Sequence, residues 1–359
     1  MKKKSFLIFG FAILLLSQIF AIQKDPCAPK DVCCEEYTDT YAFSYPKDIG
    51  LACPRNFYVN GEFLYMRAQE EGLEYAIYNS GETNINPRPL ENGLIYGFST
   101  GSDDWEFNPG FRTSLGFYTS KNFLNIEIAW TYLRIKNDTA VSGKLYSFFL
   151  MIGENDRISD RAISAQERWS GDHNILDLKV GKPFHVSRFF ILDPFFGVRS
   201  TWIDQNMTFR YSRLESERMV KPIASNDFWG IGLRAGFKSE VILAKGFNIF
   251  ASFSSSMLYG RFDVKQAADS FDSSFDYNFS QDFYMSIRNF ENTLGISWGS
   301  FFDKNRYFIS LSAAYEFHHW MNQNRLKMFL DDTAPMMIGS LNFGDLMYDG
   351  FAFKLQFDF

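Results

Sequence analysis

The stretch from Trp105 to Phe117, WEFNPGFRTSLGF, decides the fold. Its odd positions are mainly apolar and its even positions are mainly polar or glycine, which is the period of two of a strand with two unlike faces. After a short turn, the segment from Leu124 to Tyr132 repeats the pattern. Two alternating segments joined by a short turn predict a β-hairpin whose one face meets lipid and whose other face meets water.

The same alternation continues to the C-terminus of the chain. It recurs at residues 176–180, 190–199, 229–238, 247–254, 294–298, 307–317 and 351–359. So many alternating segments predict an all-β fold, a transmembrane antiparallel β-barrel with an even strand number of about 12, within a range of about 10 to 14. A soluble sandwich ending in an ordinary last strand is the alternative.

The connections between these segments alternate in length. Short ones lie near residues 120, 185, 242 and 303, and long polar ones near 80–104, 136–172, 204–227, 263–285 and 318–347. This predicts short periplasmic turns and long external loops. The phase of the strands predicts that Leu233 and Leu311 point to lipid, whereas Arg234 and Ser310 point inward.

The N-terminus has the features of a secretory signal peptide. Three lysines precede an apolar run from Phe6 to Leu16 and a small residue at Ala21, so we expect cleavage after residue 21. A retained helical anchor, the alternative, would be shorter than the roughly 20 residues that span a bilayer. The predicted organisation is a signal peptide at 1–21, a Cys- and Pro-rich periplasmic prologue at 22–55, and a barrel at 56–359 in the bacterial outer membrane.

All four cysteines, Cys27, Cys33, Cys34 and Cys53, lie in the prologue. In an exported protein this indicates disulfides. Three pairings are open, and bonds to another chain are open too, because the adjacent Cys33 and Cys34 are poorly placed to bond each other. A zinc site is the alternative, although the CxxC spacing that such sites usually have is missing.

Composition agrees with strands that have one apolar and one polar face. Aromatic residues make up 18% of the chain and charged residues 22%, yet the mean hydropathy is only −0.19. The formal net charge of −6 becomes more negative once the signal lysines are removed. A negative chain with no basic block disfavours nucleic acid as a partner.

Two motifs suggest chemistry, and we interpret both as structural. A G-x-S-x-G pattern surrounds Ser297, but a nucleophile elbow needs a strand-to-helix turn, and Ser297 is predicted to lie within a strand. His318 and His319 point to opposite faces of a strand and therefore cannot bind one ion together without a bulge. We expect these histidines at the membrane interface, in an aromatic girdle with Tyr315, Phe317 and Trp320. The sequence therefore predicts no enzyme, no metal site and no cofactor.

Charged residues on the inward phase are candidates for lining a pore. They are Arg112, Glu127, Asp177, Lys179, Arg199, Arg234, Lys238 and Glu316. The basic members would attract anions, but inward carboxylates, including Asp193 and Asp358, offset them.

Four stretches resemble a known family: CPRNFYVNGEFLYMRAQEEGLEYAI from residue 53, LDPFFGVRSTWIDQN from 192, FWGIGLRAGFKSEVILAKGFNIFASFSSSMLYGRF from 228, and NRYFISLSAAYEFHHWMNQN from 305. The chain is similar to pore-forming outer-membrane proteins related to the chlamydial major outer membrane protein, including the similar family of Legionella. The resemblance implies a porin for small hydrophilic solutes, a homotrimer, and a structural role in an envelope with disulfide-linked proteins. The confinement of cysteines to the prologue departs from the chlamydial pattern.

The last residue, Phe359, ends an alternating apolar segment. This ending resembles the signal that the barrel assembly machinery recognises, so we expect that machinery and outer-membrane lipid as partners. The predicted function is passive diffusion of small hydrophilic solutes and ions through a porin that also contributes to envelope structure. The alternative is a structural or adhesive surface barrel whose external loops bind host or partner molecules.

Overall fold

The computed structural model describes residues 45–46, 51, 56–78, 94–97, 106–119, 124–147, 162–213, 219–269, 277–327 and 344–359. The predicted signal peptide and the four cysteines lie outside these residues, so the cleavage and the disulfides stay predictions. Within the described ranges, no helix is long and apolar enough to cross a membrane.

The described residues form fourteen strands. Their bounds are β1 Tyr45–Pro46, β2 Phe57–Glu70, β3 Glu74–Tyr78, β4 Leu94–Gly97, β5 Asn108–Tyr118, β6 Asn125–Ser147, β7 Ala162–Gly181, β8 Phe184–Ser187, β9 Phe190–Arg213, β10 Met219–Ile242, β11 Phe247–Asp269, β12 Tyr277–Phe302, β13 Tyr307–Asn324 and β14 Gly344–Asp358.

Ten of these strands close into an antiparallel barrel, in the order β2, β5, β6, β7, β9, β10, β11, β12, β13, β14 and back to β2. The first and last strands meet as predicted: the Phe359 amide donates to the Phe57 carbonyl at 2.9 Å and the Phe57 amide to the Phe359 carbonyl at 3.3 Å. The barrel fold is therefore confirmed. Closure pairs the first and last strands of the wall, so the ten wall strands, as far as they are described, have no unpaired outermost strand.

In the described residues the barrel wall has ten strands, which is the lower end of the predicted range of 10 to 14 and two fewer than its centre of about 12. β6 continues to Ser147, so the first part of the loop predicted at 136–172 is strand. The short strands β3 and β4 form a hairpin that pairs with β6 beyond the end of β5. At the opposite end of the barrel, β1 pairs with β8.

Several predicted external loops are instead strand. β9 continues to Arg213 and β10 begins at Met219, which replaces most of the predicted loop at 204–227. β11 and β12 replace most of the loop at 263–285 in the same way. The predicted short turns are present at 243–246 and 303–306, where Gly246 and Asn305 have positive φ angles of 82° and 65°, a conformation that Gly and Asn adopt most readily.

The apolar face of the wall is the outer one in one part of each long strand and the inner one in the other part. On β10 the outward side chains from Val241 back to Trp229 are mainly apolar, and Leu233 is 73% exposed on the side that faces lipid. Farther along the same strand the outward residues include Asp227 and Ser225, while the inward Phe228 is buried. The alternation keeps its period, but the apolar face changes sides.

We call the two parts the membrane segment and the external extension. The boundary between them is an outward row of paired residues, one on each of five neighbouring strands. This boundary row consists of Asn174, Trp202, Trp229, Arg261 and Tyr284. Tryptophan and tyrosine are the residues that β-barrels place at the membrane interface. On β10, the thirteen residues from Trp229 to Val241 are enough for a tilted strand to cross the hydrocarbon.

The external extension has an apolar core inside the barrel. Phe262 is fully buried and stacks near Phe228 and Phe283, with ring centroids 4.6 and 5.3 Å apart. Trp169, Phe209 and further residues are buried in the same core. Because water surrounds this part of the wall, the apolar side chains gain free energy by turning inward. The predicted loops were wrong for this reason: the polar outward face ended the lipid-facing pattern, although the strands continued.

Candidate functional site

The inward side chains of the membrane segment enclose a cavity of about 520 Å³. All eight residues proposed from the sequence as pore-lining contribute to its walls. They form two groups, one just below the external extension and one nearer the periplasmic turns. Apolar residues of the extension, including Leu64, Met66 and Leu133, cover the cavity on its external side.

The group nearest the extension is a network of ionised side chains that crosses the lumen. We call it the central charged cluster. It consists of Glu62, Arg112, Asp177, Arg199, Arg234, Glu291, Glu316 and His318.

One half of the cluster is built around Arg199, whose side chain is 3% exposed. Its Nε and Nη2 atoms donate to the two oxygens of Asp177 at 2.7 and 2.8 Å. The same guanidinium bonds to Glu291, and it donates to Asn289 Oδ1 at 2.8 Å. Arg234 bridges the same two carboxylates, with 2.8 Å between its Nη1 and Asp177 Oδ2. This fork-shaped pairing fixes both guanidiniums in position.

The other half is built around Arg112 on β5. Its Nη1 atom donates to Glu62 Oε2 at 2.6 Å and to Glu316 Oε1 at 2.9 Å. Its Nη2 atom donates to Glu316 Oε2 at 2.9 Å, and its Nε donates to Thr131 Oγ1 at 3.1 Å. Arg112 therefore holds carboxylates from β2 and β13 at one level of the lumen.

His318 joins the two halves. Its Nδ1 atom lies 3.3 Å from Glu291 Oε1, and its Nε2 atom lies 3.1 Å from Glu316 Oε2. The imidazole also stacks on the ring of Tyr348, with centroids 4.7 Å apart. The cluster contains three guanidiniums and four carboxylates, and Lys354 Nζ lies 4.0 Å from Glu62 Oε1 at its edge, so the arginines together with this lysine match the four carboxylates in charge. Such balance matters because an unpaired charge in a largely buried network is costly.

The second group lies nearer the periplasmic turns and consists of two separate ion pairs. Lys179 Nζ lies 3.3 Å from Glu127 Oε2, and Lys238 Nζ lies 2.6 Å from Glu240 Oε1. The hydroxyl of Tyr58 donates to Glu127 at 2.6 Å. The lysines that the sequence suggested as anion-attracting are therefore paired with carboxylates.

The sequence interpretation missed three members of the cluster, Glu62, Glu291 and His318. The interfacial placement of His318 is wrong, because the residue is buried inside the barrel. Trp320 is also buried and does not belong to an outer girdle. Since β13 continues to Asn324, both residues share the inward phase of Glu316. Glu316, His318 and Trp320 occupy alternate positions, so the inward direction of Glu316 predicts that of the other two once the strand is extended beyond the membrane.

His319 and Ser297, which the sequence had also singled out, do not belong to the central charged cluster. His319 lies on the other face of β13, with Nε2 2.7 Å from Asp345 Oδ2. Ser297 lies within β12, as predicted, and lines the cavity without a strand-to-helix turn. Among the described residues, no three His, Cys, Asp or Glu side chains converge in a way that would hold a metal ion.

The comparison with protein families decides where this barrel belongs. Residues 52–359 match the model of the Legionella pneumophila major outer membrane protein precursor. The chain belongs to this family. The match covers the whole of the described barrel and places the chain among outer-membrane proteins, which confirms the predicted localisation. No curated protein is similar enough to count as a relative.

Three solved structures illustrate how far the likeness reaches. The outer membrane protease OmpT from Escherichia coli is 10% identical, with a TM-score of 0.43, over 87% of this chain and 99% of that chain. The Pseudomonas putida toluene transporter TodX is 10% identical, with a TM-score of 0.28, over 85% and 89%. A Pseudomonas aeruginosa FadL homologue is 9% identical, with a TM-score of 0.24, over 84% and 89%. The fold rests on the strand pairings above, independently of these likenesses.

Proposed function

We propose that the chain is a narrow porin, which lets small ions and hydrophilic solutes diffuse across the outer membrane and also contributes to envelope structure. The observation that supports this function is the inner lining of the membrane segment. Charged side chains, with serines and some apolar residues between them, line it from the periplasmic turns to the central charged cluster. A lipid-embedded barrel with no aqueous task would be more stable with apolar residues packed in these positions, because buried ion pairs seldom repay their desolvation.

The central charged cluster is the constriction of the proposed pore. It joins opposite walls of the lumen, and the apolar core of the external extension lies beyond it. Conduction therefore requires a rearranged state in which the pairs around Arg112 or Arg234 separate and the external end admits water. We expect a small conductance and infrequent openings, since breaking pairs in a largely buried network is costly.

Planar-bilayer recording of the refolded full chain tests the proposal. We expect discrete current steps of small size in potassium chloride. Denatured chain from the same preparation, added at equal concentration, is the control for detergent and contaminants. If the folded barrel gives no steps in any salt and at any voltage below membrane breakdown, the porin function is wrong.

The arginines of the cluster should influence which ions pass. Replacing Arg112, Arg199 and Arg234 with Ser removes fixed positive charge while four carboxylates remain. We expect the reversal potential under a salt gradient to shift toward cation preference, and added salt to weaken the shift through screening.

The single variant Arg234→Ser guards against misfolding of the triple variant, because Arg234 is less buried than Arg199, with side-chain exposures of 18% and 3%. It should shift the reversal potential in the same direction by a smaller amount. Unchanged potentials in both folded variants would mean that the cluster does not control selectivity.

The external extension favours a second candidate function, that of a structural or adhesive surface barrel. Strands such as β9 and β10 continue about ten residues beyond the boundary row and bury an apolar core. Passive diffusion does not need this structure. A deletion strain with normal solute uptake but reduced resistance to detergent would favour the structural candidate over the porin.

Other expectations from the sequence remain proposals. We propose that the barrel has no catalytic activity, that copies assemble as trimers, and that the cysteines of the prologue link envelope proteins. The last two follow from the family resemblance. Crosslinking in intact membranes tests the trimer, and electrophoresis with and without reductant tests the links.

A further inference from the structure

Two carboxylates lie inside the external extension, away from the central charged cluster. Glu70 ends β2 and is fully buried. Its Oε2 accepts a hydrogen bond from the indole of Trp169 at 2.8 Å, and its Oε1 accepts one from the amide of Gln205 at 2.8 Å. Both donors are uncharged, so they satisfy the oxygens of Glu70 without neutralising its charge.

Glu167 on β7 lies in the same core and is 1% exposed. Neither of its carboxylate oxygens has a hydrogen-bond partner among the residues that the structure describes. Burial raises the pKa of Glu167 well above its usual value, and the charges of Glu70 and Glu74 raise it further. Burial likewise raises the pKa of Glu70 to about 8. An ionised carboxylate that is buried without a partner destabilises the folded state unless a proton or a cation neutralises it.

Two further side chains with oxygen atoms, Thr139 and Asn137, lie on the inward face of the strand next to Glu167. Thr139 of β6 is directly opposite Glu167 in the strand register, and Asn137 is opposite Trp169. Both are buried, and the Oδ1 atom of Asn137 has no hydrogen-bond partner in the described part of the chain. Directly opposite side chains in an antiparallel pair, such as Thr139 and Glu167, have Cβ atoms about 5 Å apart. Asn137 is diagonal to Glu167, at about 7–8 Å, which is within reach of a long glutamate side chain.

The chemistry of this set selects one class of ligand. Carboxylate, hydroxyl and amide oxygens without nitrogen or sulfur are the ligands that hard cations prefer. A proton or a cation can neutralise Glu167, but a proton supplies only one donor for three acceptor oxygens that lack partners in the described residues, Oε1 and Oε2 of Glu167 and Oδ1 of Asn137, whereas a cation can bind all three. We propose that Glu167, Thr139 and Asn137, with Glu70 nearby, bind a divalent cation of the calcium class.

The position of the site gives the cation a structural role. Glu70 belongs to β2, Thr139 to β6 and Glu167 to β7, and Trp169, two residues after Glu167 on β7, donates its indole hydrogen bond to Glu70. A cation here ties three strands of the external extension together. Two carboxylates and neutral oxygens form a modest site, so we expect a dissociation constant of about 10⁻⁴ to 10⁻³ M, the range of extracellular calcium modules.

Terbium luminescence tests the site in the refolded full chain. Tb³⁺ replaces calcium at oxygen sites and emits when a nearby indole is excited, and Trp169 bonds directly to Glu70. We expect saturable emission that calcium displaces and that Glu167→Gln abolishes. Trp169→Phe should lose most of the emission. Calcium should raise the melting temperature of the unaltered barrel by about 2 to 4 °C, and should not change that of Glu167→Gln.

The controls separate this site from other carboxylates. Asp204 and Asp227 lie on the outer face beside Trp202 and Trp229, so the double variant Asp204→Asn, Asp227→Asn must keep the saturable emission. The proposal is overturned if that variant loses the emission, or if emission never saturates. It is also overturned if Glu167→Gln raises the melting temperature equally with calcium and with chelator, because a protonated carboxyl then explains the site.

Discussion

The membrane segment and the external extension are made of the same strands but have opposite distributions of polarity. On β11, Phe253 points outward in the membrane segment and is 37% exposed, whereas Phe262 points inward in the extension and is fully buried. Both residues obey one uninterrupted alternation. The comparison shows that the period of a strand follows from backbone geometry, while the medium outside the wall decides which face is apolar.

The two regions are therefore stabilised in different ways. The extension gains free energy as an ordinary soluble protein does, by removing apolar side chains from water. In the membrane segment the outer surface stays in lipid, so burial contributes little there. Closed strand pairing satisfies the backbone, and ion pairs such as Arg199 with Asp177 satisfy the polar interior.

The largest expected difference is between two phenylalanines of one strand. Phe262→Ala should reduce the free energy of unfolding by about 3–5 kcal/mol, because it leaves a cavity in a packed core. Phe253→Ala should cost clearly less, since lipid chains fill the vacated space. Urea unfolding in lipid vesicles, followed by circular dichroism, measures both values. Equal losses would mean that the extension has no core of the kind described.

A charge on the outer face should separate the regions next. Leu311 lies midway between Tyr307 and Tyr315 on β13 and is 51% exposed on the lipid side. Leu311→Arg should cost about 2–4 kcal/mol. Asn206→Arg, at an exposed outward position of the extension, should change stability by no more than about 0.5 kcal/mol. A similar cost at both positions in the same vesicles would contradict the assigned boundary.

The smallest effect concerns a row of five aspartates just outside the boundary row. They are Asp172, Asp204, Asp227, Asp263 and Asp282, paired across neighbouring strands. Burial raises the pKa of Asp227 to about 6, with further contributions from the charges of Asp204 and Asp263. The neutral carboxyl favours the folded state, so this stability is fully present below about pH 4 and is lost as the pH rises through about 6.

Asp227→Asn should therefore stabilise the barrel at pH 7.5 and have almost no effect at pH 4. The shift is small because the residue is only about half buried. Unfolding midpoints at the two pH values measure it. Asp303→Asn in an exposed periplasmic turn is the matched control, and any effect it has should be small and the same at both pH values, because Asp303 lies far from the aspartate row. A stabilisation by Asp227→Asn that is equal at both pH values would exclude repulsion within the row.

Much of the membrane segment was predictable because lipid imposes a simple pattern. Leu233 and Leu311 point outward and Arg234 and Ser310 point inward, as their phase predicts. The extension was less predictable, since its outward face is polar like that of a loop. The alternation of the strands also predicted that Arg112 and Glu316 point into the barrel. Their contact was not predictable, because it depends on the stagger of strands around the barrel, which places distant residues at one height.

The adjacency of the boundary row and the aspartate row fixes how deeply the barrel sits in the bilayer. If the barrel moved toward the periplasm by two residues along a strand, about 7 Å, the five carboxylates of the aspartate row would enter the hydrocarbon. A shift outward would leave apolar side chains such as Ile231 in water. Both displacements raise the free energy of the barrel in the membrane. A bilayer of different thickness must therefore thin or thicken around the wall. The wall thus sets the local thickness of the membrane at its rim.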